Sequence, residues 1–133
     1  MLIFCCECKK KVDARLTDGN EIYPHRPDLE NIPYWKCDTC GNYVGCHYKT
    51  NNPTSPLGPI STYAIRKKRR KIHFILDQLW KNSDNPKVER KAVYAKLSER
   101  LGYNYHTGYI RSEDEADRII DIIGEVNENN LQR

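Results

Sequence analysis

The chain has 133 residues, 38% of them hydrophobic, with a mean hydropathy of −0.81 and a formal net charge of +4. That length suits one domain, or one small domain with an appendage, and so polar a composition leaves only a modest core. The apolar start, Met1 to Cys6, is too short for a secretory leader or a membrane span, so a cytoplasmic protein is expected.

Taken in chain order, the first element is a Cys5-x-x-Cys8 turn, and its counterpart is Cys37-x-x-Cys40. Two such turns supply the four thiolates of a tetrahedral zinc site, and Gly41 suits the tight backbone after the second pair. The competing readings are two disulfides or four unrelated buried thiols. Nothing marks the chain for export, and a reducing cytosol would not keep disulfides. A filled site lowers the formal charge to about +2, because ligating thiols are deprotonated.

Between the turns, Val12, Ala14 and Leu16 alternate with Asp13 and Arg15 as a half-exposed strand does. Asp18-Gly19 reads as a hairpin turn into Glu21-Ile22-Tyr23, and residues 24–33, with three prolines, as a surface loop. Tyr34-Trp35-Lys36 and Tyr43-Val44 have strand composition on either side of the second turn. The expectation is a three-stranded zinc ribbon over residues 1–49, followed by a proline-rich connection over 50–61.

A helix is expected from about Thr62 to Lys81, with Ile65, Ile72, Leu76 and Leu79 on one side and Ile75 and Trp80 at its margins. Asn85-Pro86 starts a second helix bearing Ala92, Tyr94, Ala95, Leu97 and Leu101, which Gly102 can end. Ser112 with Glu115 forms a capping box ahead of Ile119, Ile120, Ile122, Ile123 and Val126. The fold class is therefore α+β: an N-terminal four-cysteine zinc ribbon with a small antiparallel sheet, then a part of about three helices. The helical part, 62–127, is expected to pack on the ribbon in one compact unit, with a frayed tail over 128–133.

Basic charge is concentrated in Arg66-Lys67-Lys68-Arg69-Arg70-Lys71. Helical phase places Lys68 and Arg69 beside the apolar side, which leaves Arg66, Lys67, Arg70 and Lys71 as candidate phosphate contacts. A solvated helix face and an acidic protein partner are the alternatives. Arg70, His73 and Asp77 are neighbours at helical spacing, and His47 could join a polar cluster with His73 and Asp77. A structural salt-bridge cluster and a general base are both open for that cluster, and no residue is assigned a catalytic role. Cys6 and Cys46 read as small buried residues. The aromatics Tyr34, Trp35, Tyr43 and Tyr48 would be platforms for unpaired bases if exposed, and sheet packing if buried.

The order Cys-x-x-Cys, Trp35-x-Cys37-x-x-Cys40-Gly41-x-Tyr43-Val44-Gly45-x-His47, Pro56-Leu57-Gly58 and Arg70-x-x-His73-x-x-x-Asp77-x-Leu79-Trp80 resembles a known family. It is similar to the phage- and prophage-associated zinc-finger-containing family of unassigned function, over roughly residues 5–80. Cys46 and Leu76 depart from its pattern, which has a small apolar residue and an aromatic there. The resemblance implies a mobile-element origin, one structural Zn2+ and location in a host cytoplasm; it implies no reaction.

Two functions follow as expectations: a nucleic-acid-binding or nucleic-acid-associated accessory factor, and a protein-binding phage factor that engages or inhibits a host complex, including a defence complex. An enzyme built on His73, Asp77 and His47 is set third. Four thiolates leave no open zinc position for water.

Overall fold

The computed structural model describes residues 1–131, with side chains to Asn127. The chain divides into two units, Met1–Tyr63 and Ala64 onward. No helix among the described residues is long and apolar enough to cross a membrane.

In the first unit, β1 (Leu2–Cys5) pairs antiparallel with β2 (Lys10–Asp13), with Cys5 opposite Lys10. Ala14, 4% exposed, then carries the chain into β3 (Arg15–Asp18) in a different sheet. The alternation over residues 12–16 is thus two strands rather than one. Ala14 fills the buried corner between them, and Leu16 beyond it is 46% exposed. A second antiparallel sheet has the order β3, β4 (Pro33–Lys36), β5 (Tyr43–Gly45). The expected three-stranded ribbon is therefore one of two sheets, and each carries one cysteine turn.

The expected hairpin at Asp18-Gly19 is corrected. Asp18 instead caps a four-residue helix, α1 (Gly19–Ile22), its carboxylate accepting from the Asn20 and Glu21 amides. The strand partner of β3 arrives from residues 33–36, not from residues 21–23. Gly19 is needed for space rather than for its dihedral freedom. A Cβ there would lie 1.8 Å from the Leu29 carbonyl oxygen, and the Gly19 amide donates to Ile32 at 2.9 Å.

The proline-rich stretch contributes directly to this unit's core. The Ile60 amide donates to Phe4 and the Cys6 amide to Ile60, both at 2.8 Å, so Ile60 lies parallel to Cys5. Ile3, Cys5, Ala14, Cys37 and Ile60 form the buried cluster, with Val12, Trp35 and Val44 packed against it.

The second unit is helical: α2 (Tyr63–Trp80), α3 (Pro86–Leu101) and α4 (Glu113–Leu131). The capping signals act as their chemistry predicts. The Asn85 side chain accepts from the Val88 amide, Gly102 ends α3 in the left-handed region, and the Ser112 hydroxyl accepts from the Glu115 amide. Ile65, Ile72 and Leu76 of α2 are buried, as are Ile119, Ile122, Ile123 and Val126 of α4. On α3 the buried positions are Val93 and Leu97, while Ala92 and Ala95, named in the sequence reading, are exposed. The i,i+4 spacing of Val93, Leu97 and Leu101 defines the inward stripe better than the alanines do. Helix α4 runs into the stretch expected as a frayed tail, 128–133; the side chains there, and residues 132–133 altogether, lie outside the described residues.

Candidate metal centre

Each cysteine pair sits on a tight turn between two strands. Cys5 ends β1 and Cys8 lies just before β2; Cys37 follows β4 and Cys40 precedes β5. The two turns repeat one geometry. The Lys9 amide donates to the Cys5 carbonyl at 2.8 Å, and the Gly41 amide to the Cys37 carbonyl at 2.7 Å. The residue after each pair is left-handed, Lys9 at φ 58° and Gly41 at φ 83°. The amides inside each turn point at its first sulfur: Glu7 and Cys8 at Cys5, Thr39 and Cys40 at Cys37.

The four Sγ atoms lie within 4.8 Å of one another. Cys5 and Cys40 are 3.5 Å apart, Cys8 and Cys37 3.8 Å. A tetrahedron with Zn–S bonds of about 2.3 Å has an edge of about 3.8 Å, so the sulfurs lie close enough together to take the corners around one zinc ion. These separations are far beyond the ~2.05 Å of a disulfide, and all six cysteines are free. As thiols, four groups this close resist ionising together. Burial, then the neighbouring Cys37 and Cys5 sulfurs, push Cys8 up to about 12. Burial also raises Cys37, but the Cys40 and Thr39 amides outweigh it and bring that thiol to about 7. A bound Zn2+ supplies the positive charge that lets all four exist as thiolates. The protein binds one structural Zn2+, and the closed set of four cysteines gives it the role of a cross-link between two hairpins.

The surroundings fix the turns. Asn42 donates to the Cys40 sulfur at 3.3 Å. Arg15 on β3 reaches Asp38, inside the second turn, at 2.9 Å while holding both Glu21 oxygens at 2.8 Å. Lys36 and Thr17 complete the cluster on Glu21 at 2.8 and 2.7 Å. The Arg15 guanidinium, then Lys36 and Thr17, hold the Glu21 carboxyl well below its usual range. Cys6 and Cys46 are buried and stand outside the sulfur cluster; burial raises the Cys46 thiol.

Three of the ribbon aromatics, Tyr34, Trp35 and Tyr43, are committed to packing. The register puts Leu16, Trp35 and Val44 on one face and Tyr34 and Tyr43 on the other. Trp35 donates its indole N–H to the Thr54 carbonyl at 2.7 Å. Tyr23, Tyr34 and Tyr43 meet edge to face in all three pairs, with a 2.6 Å hydrogen bond between the Tyr23 and Tyr43 hydroxyls. Tyr48 is exposed beside the Lys49 ammonium.

His47 is exposed in the first unit, and His73 and Asp77 are exposed on α2 in the second. Among the described residues no side-chain hydrogen bond or ion pair joins His73 to Asp77. The basic run divides by role. Lys68 pairs with Asp117 at 2.6 Å and Glu113 at 3.9 Å, and Arg69 donates to the Ile110 carbonyl at 2.8 Å. Arg66 is half-buried, whereas Lys67, Arg70 and Lys71 are exposed and enter no ion pair among the described residues. One residue of α2 escaped the sequence reading. Phe74 is 67% exposed, although its helical phase, opposite Ile72 and Leu76, was available to reveal it.

The comparisons with curated proteins and with solved structures returned no match. The profile of a family described as a zinc-finger-containing domain matches residues 1–127, a span that takes in all four ligand cysteines and every helix start. The chain belongs to that zinc-finger-containing domain family.

Proposed function

We propose that this is a nucleic-acid-binding accessory factor in which the zinc centre maintains the first unit and the outer face of α2 meets phosphates. The observation that carries the reading is the division of the basic run. Lys68 and Arg69 are spent on α4 and the Ile110 carbonyl, while Lys67, Arg70 and Lys71 are exposed and enter no ion pair among the described residues. Cations that stabilise nothing within the fold can neutralise phosphates at no cost in internal contacts. Against six Lys/Arg, α2 carries one carboxylate, Asp77, beyond the basic stretch. Arg66, half-buried, belongs to the edge of this surface. The resemblance to phage- and prophage-associated proteins supports a mobile-element setting and a cytoplasmic location within the same proposal.

The test is binding of a fluorescent oligonucleotide across a salt series by the parent, by Lys67→Ala/Arg70→Ala/Lys71→Ala and by a control, Lys87→Ala/Lys91→Ala on α3. Each lost phosphate contact should lower the log–log salt slope by about 0.7–0.9, so the triple variant should lose about two to three while the control keeps the parent slope. Equal slopes in all three proteins would overturn the assignment of this face. Absence of binding to any nucleic acid at low salt would overturn the function and favour a host protein as partner.

A further inference from the structure

On α2 the outward aromatic and the outward cations coincide. Phe74 lies four residues after Arg70, three after Lys71 and seven after Lys67, so all four share one side of the helix. Its direction from the helix axis is about 160° away from both Ile72 and Leu76, the buried residues two positions either side. It is therefore not a core residue at the margin of its stripe. Helical side chains lean toward the N-terminus, which carries the ring over the turn holding Arg70 and Lys71. Phe74 is 67% exposed, while Tyr34 and Tyr43 are locked edge-on with Tyr23, and Trp35 is half-buried and bonded to Thr54.

We infer that Phe74 is a stacking platform for an unpaired base, and that the ligand of the α2 face is single-stranded nucleic acid. The inference rests on the phosphate-binding reading of the same face and narrows it. Phenylalanine has no hydrogen-bonding group, so it offers a nucleic acid only its apolar, π-bearing face. In a duplex each base face is covered by its neighbours, and only edges are presented to a helix in a groove. In a single strand the base faces are accessible, and a ring flanked within one turn by cations can take a base while Lys67, Arg70 and Lys71 hold the phosphates on either side. Gln78, one turn beyond Phe74 and also exposed, can reach a base edge; Asp77, on the adjacent side, closes the cationic stretch.

The experiment uses three probes of equal length: an oligo(dT), the same strand with its bases replaced by abasic sites, and a duplex. The proteins are the full chain, Phe74→Ala and Phe74→Trp, each checked for zinc content and helicity. So exposed a side chain can be removed without opening the core. The parent should bind oligo(dT) roughly five- to hundredfold tighter than the abasic strand, the range expected for one stacked base. Phe74→Ala should erase that preference and leave abasic-strand affinity and salt slope unchanged, because stacking releases no counterions. Phe74→Trp should restore the preference. Equal parent affinity for oligo(dT) and the abasic strand, or an undiminished preference in Phe74→Ala, would overturn the stacking role while leaving phosphate binding standing. A Phe74→Ala loss greater on the duplex than on oligo(dT) would replace stacking with insertion between base pairs. Failure to bind all three probes would refute the phosphate reading itself.

Discussion

The two cysteine turns share one backbone conformation but not one residue at its most demanding point, and that difference sets the sign of a substitution. Lys9 occupies at φ 58° the position that Gly41 occupies at φ 83°, and it is the one non-glycine residue with positive φ among those described. An L-residue in this region costs roughly 1–2 kcal/mol. Glycine avoids that cost but loses roughly 0.5–1 kcal/mol more backbone entropy on folding. Lys9→Gly should therefore gain about 0.5–1 kcal/mol. The Lys9 side chain is exposed and makes no described hydrogen bond or ion pair, so nothing is lost in exchange. Gly41→Ala should cost a similar amount, and for the same reason alone, because a Cβ at Gly41 meets nothing within 4 Å.

Each turn must adopt this conformation to bring its sulfurs to the metal, so the difference should appear in zinc affinity as well as in stability. A change of about 0.5–1 kcal/mol is about two- to fivefold in a dissociation constant. Competition with a chromophoric chelator at fixed pH measures it, with thermal unfolding of the zinc-loaded protein as the second readout. Lys9→Gly should tighten zinc binding and raise the unfolding midpoint, Gly41→Ala should do the reverse, and the double variant should return close to the parent. Weaker zinc binding by Lys9→Gly, or an unchanged affinity in Gly41→Ala, would refute the claim that backbone conformation, not side-chain contact, distinguishes the two turns.

Gly19→Ala should be far more damaging than Gly41→Ala, by more than about 2 kcal/mol, because its Cβ would collide with the Leu29 carbonyl oxygen at 1.8 Å and no side chain can yield. Denaturant unfolding of the two variants side by side checks this; equal losses would contradict it. Glu21→Gln should lower stability near neutral pH, and its deficit relative to the parent should fade in acid. The carboxyl is held down in the folded protein by Arg15 first, so its contribution is complete above the unfolded value of about 4.3 and is lost as pH falls below that. Unfolding midpoints of parent and variant from pH 7 to pH 3 follow the difference, and a deficit that grows toward acid would reverse the sign of the argument.

The zinc ligands were legible because the constraint is local: a Cys-x-x-Cys turn specifies its own geometry wherever the rest of the chain goes. The helix caps were legible for the same reason. Asn85-Pro86, Gly102 and Ser112 act through backbone groups within four residues. Asp18-Gly19 was misread because the same pair suits either a hairpin turn or a helix cap. What decides is the return of Leu29–Ile32 against Gly19, a contact across ten residues that no local pattern contains. Ile60 was missed as core on similar grounds. Three prolines excluded a helix correctly, but nothing in the stretch itself shows that the extended backbone left over pairs with Cys5. The basic run illustrates a third limit. Helical phase separated Lys68 and Arg69 from the outward cations, but their partners, Asp117 and the Ile110 carbonyl, come from more than forty residues away.

The zinc centre and the core of the first unit are one object, and this gives metal removal a divided outcome. Cys5 and Cys37 are ligands and also two of the five buried residues of that core, beside Ile3, Ala14 and Ile60. Ile3, Ala14 and Ile60, even with the partly buried Val12, Trp35 and Val44, are too small a core to offset the chain entropy of five short strands once four thiols replace the metal–sulfur bonds. The second unit, in contrast, has its own core, drawn from Ile72, Leu76, Val93, Leu97, Ile110, Ile119 and Ile123. It also contains nearly all of the long α-helices, of 18, 16 and 19 residues, against one four-residue α-helix and one short 3-10 turn, Pro27–Leu29, in the first unit. Chelation of zinc, or Cys37→Ser, should therefore remove the tertiary signature of the first unit while nearly all of the helical circular dichroism remains. Trp35 and Trp80 divide between the units, so Trp80→Phe isolates the first. Its remaining fluorescence should shift to that of exposed indole on chelation and recover when zinc is returned. Helical signal that disappears together with the Trp35 change would show that the helices depend on the metal. A Cys37→Ser protein that keeps stoichiometric zinc and parent stability would refute the ligand set itself.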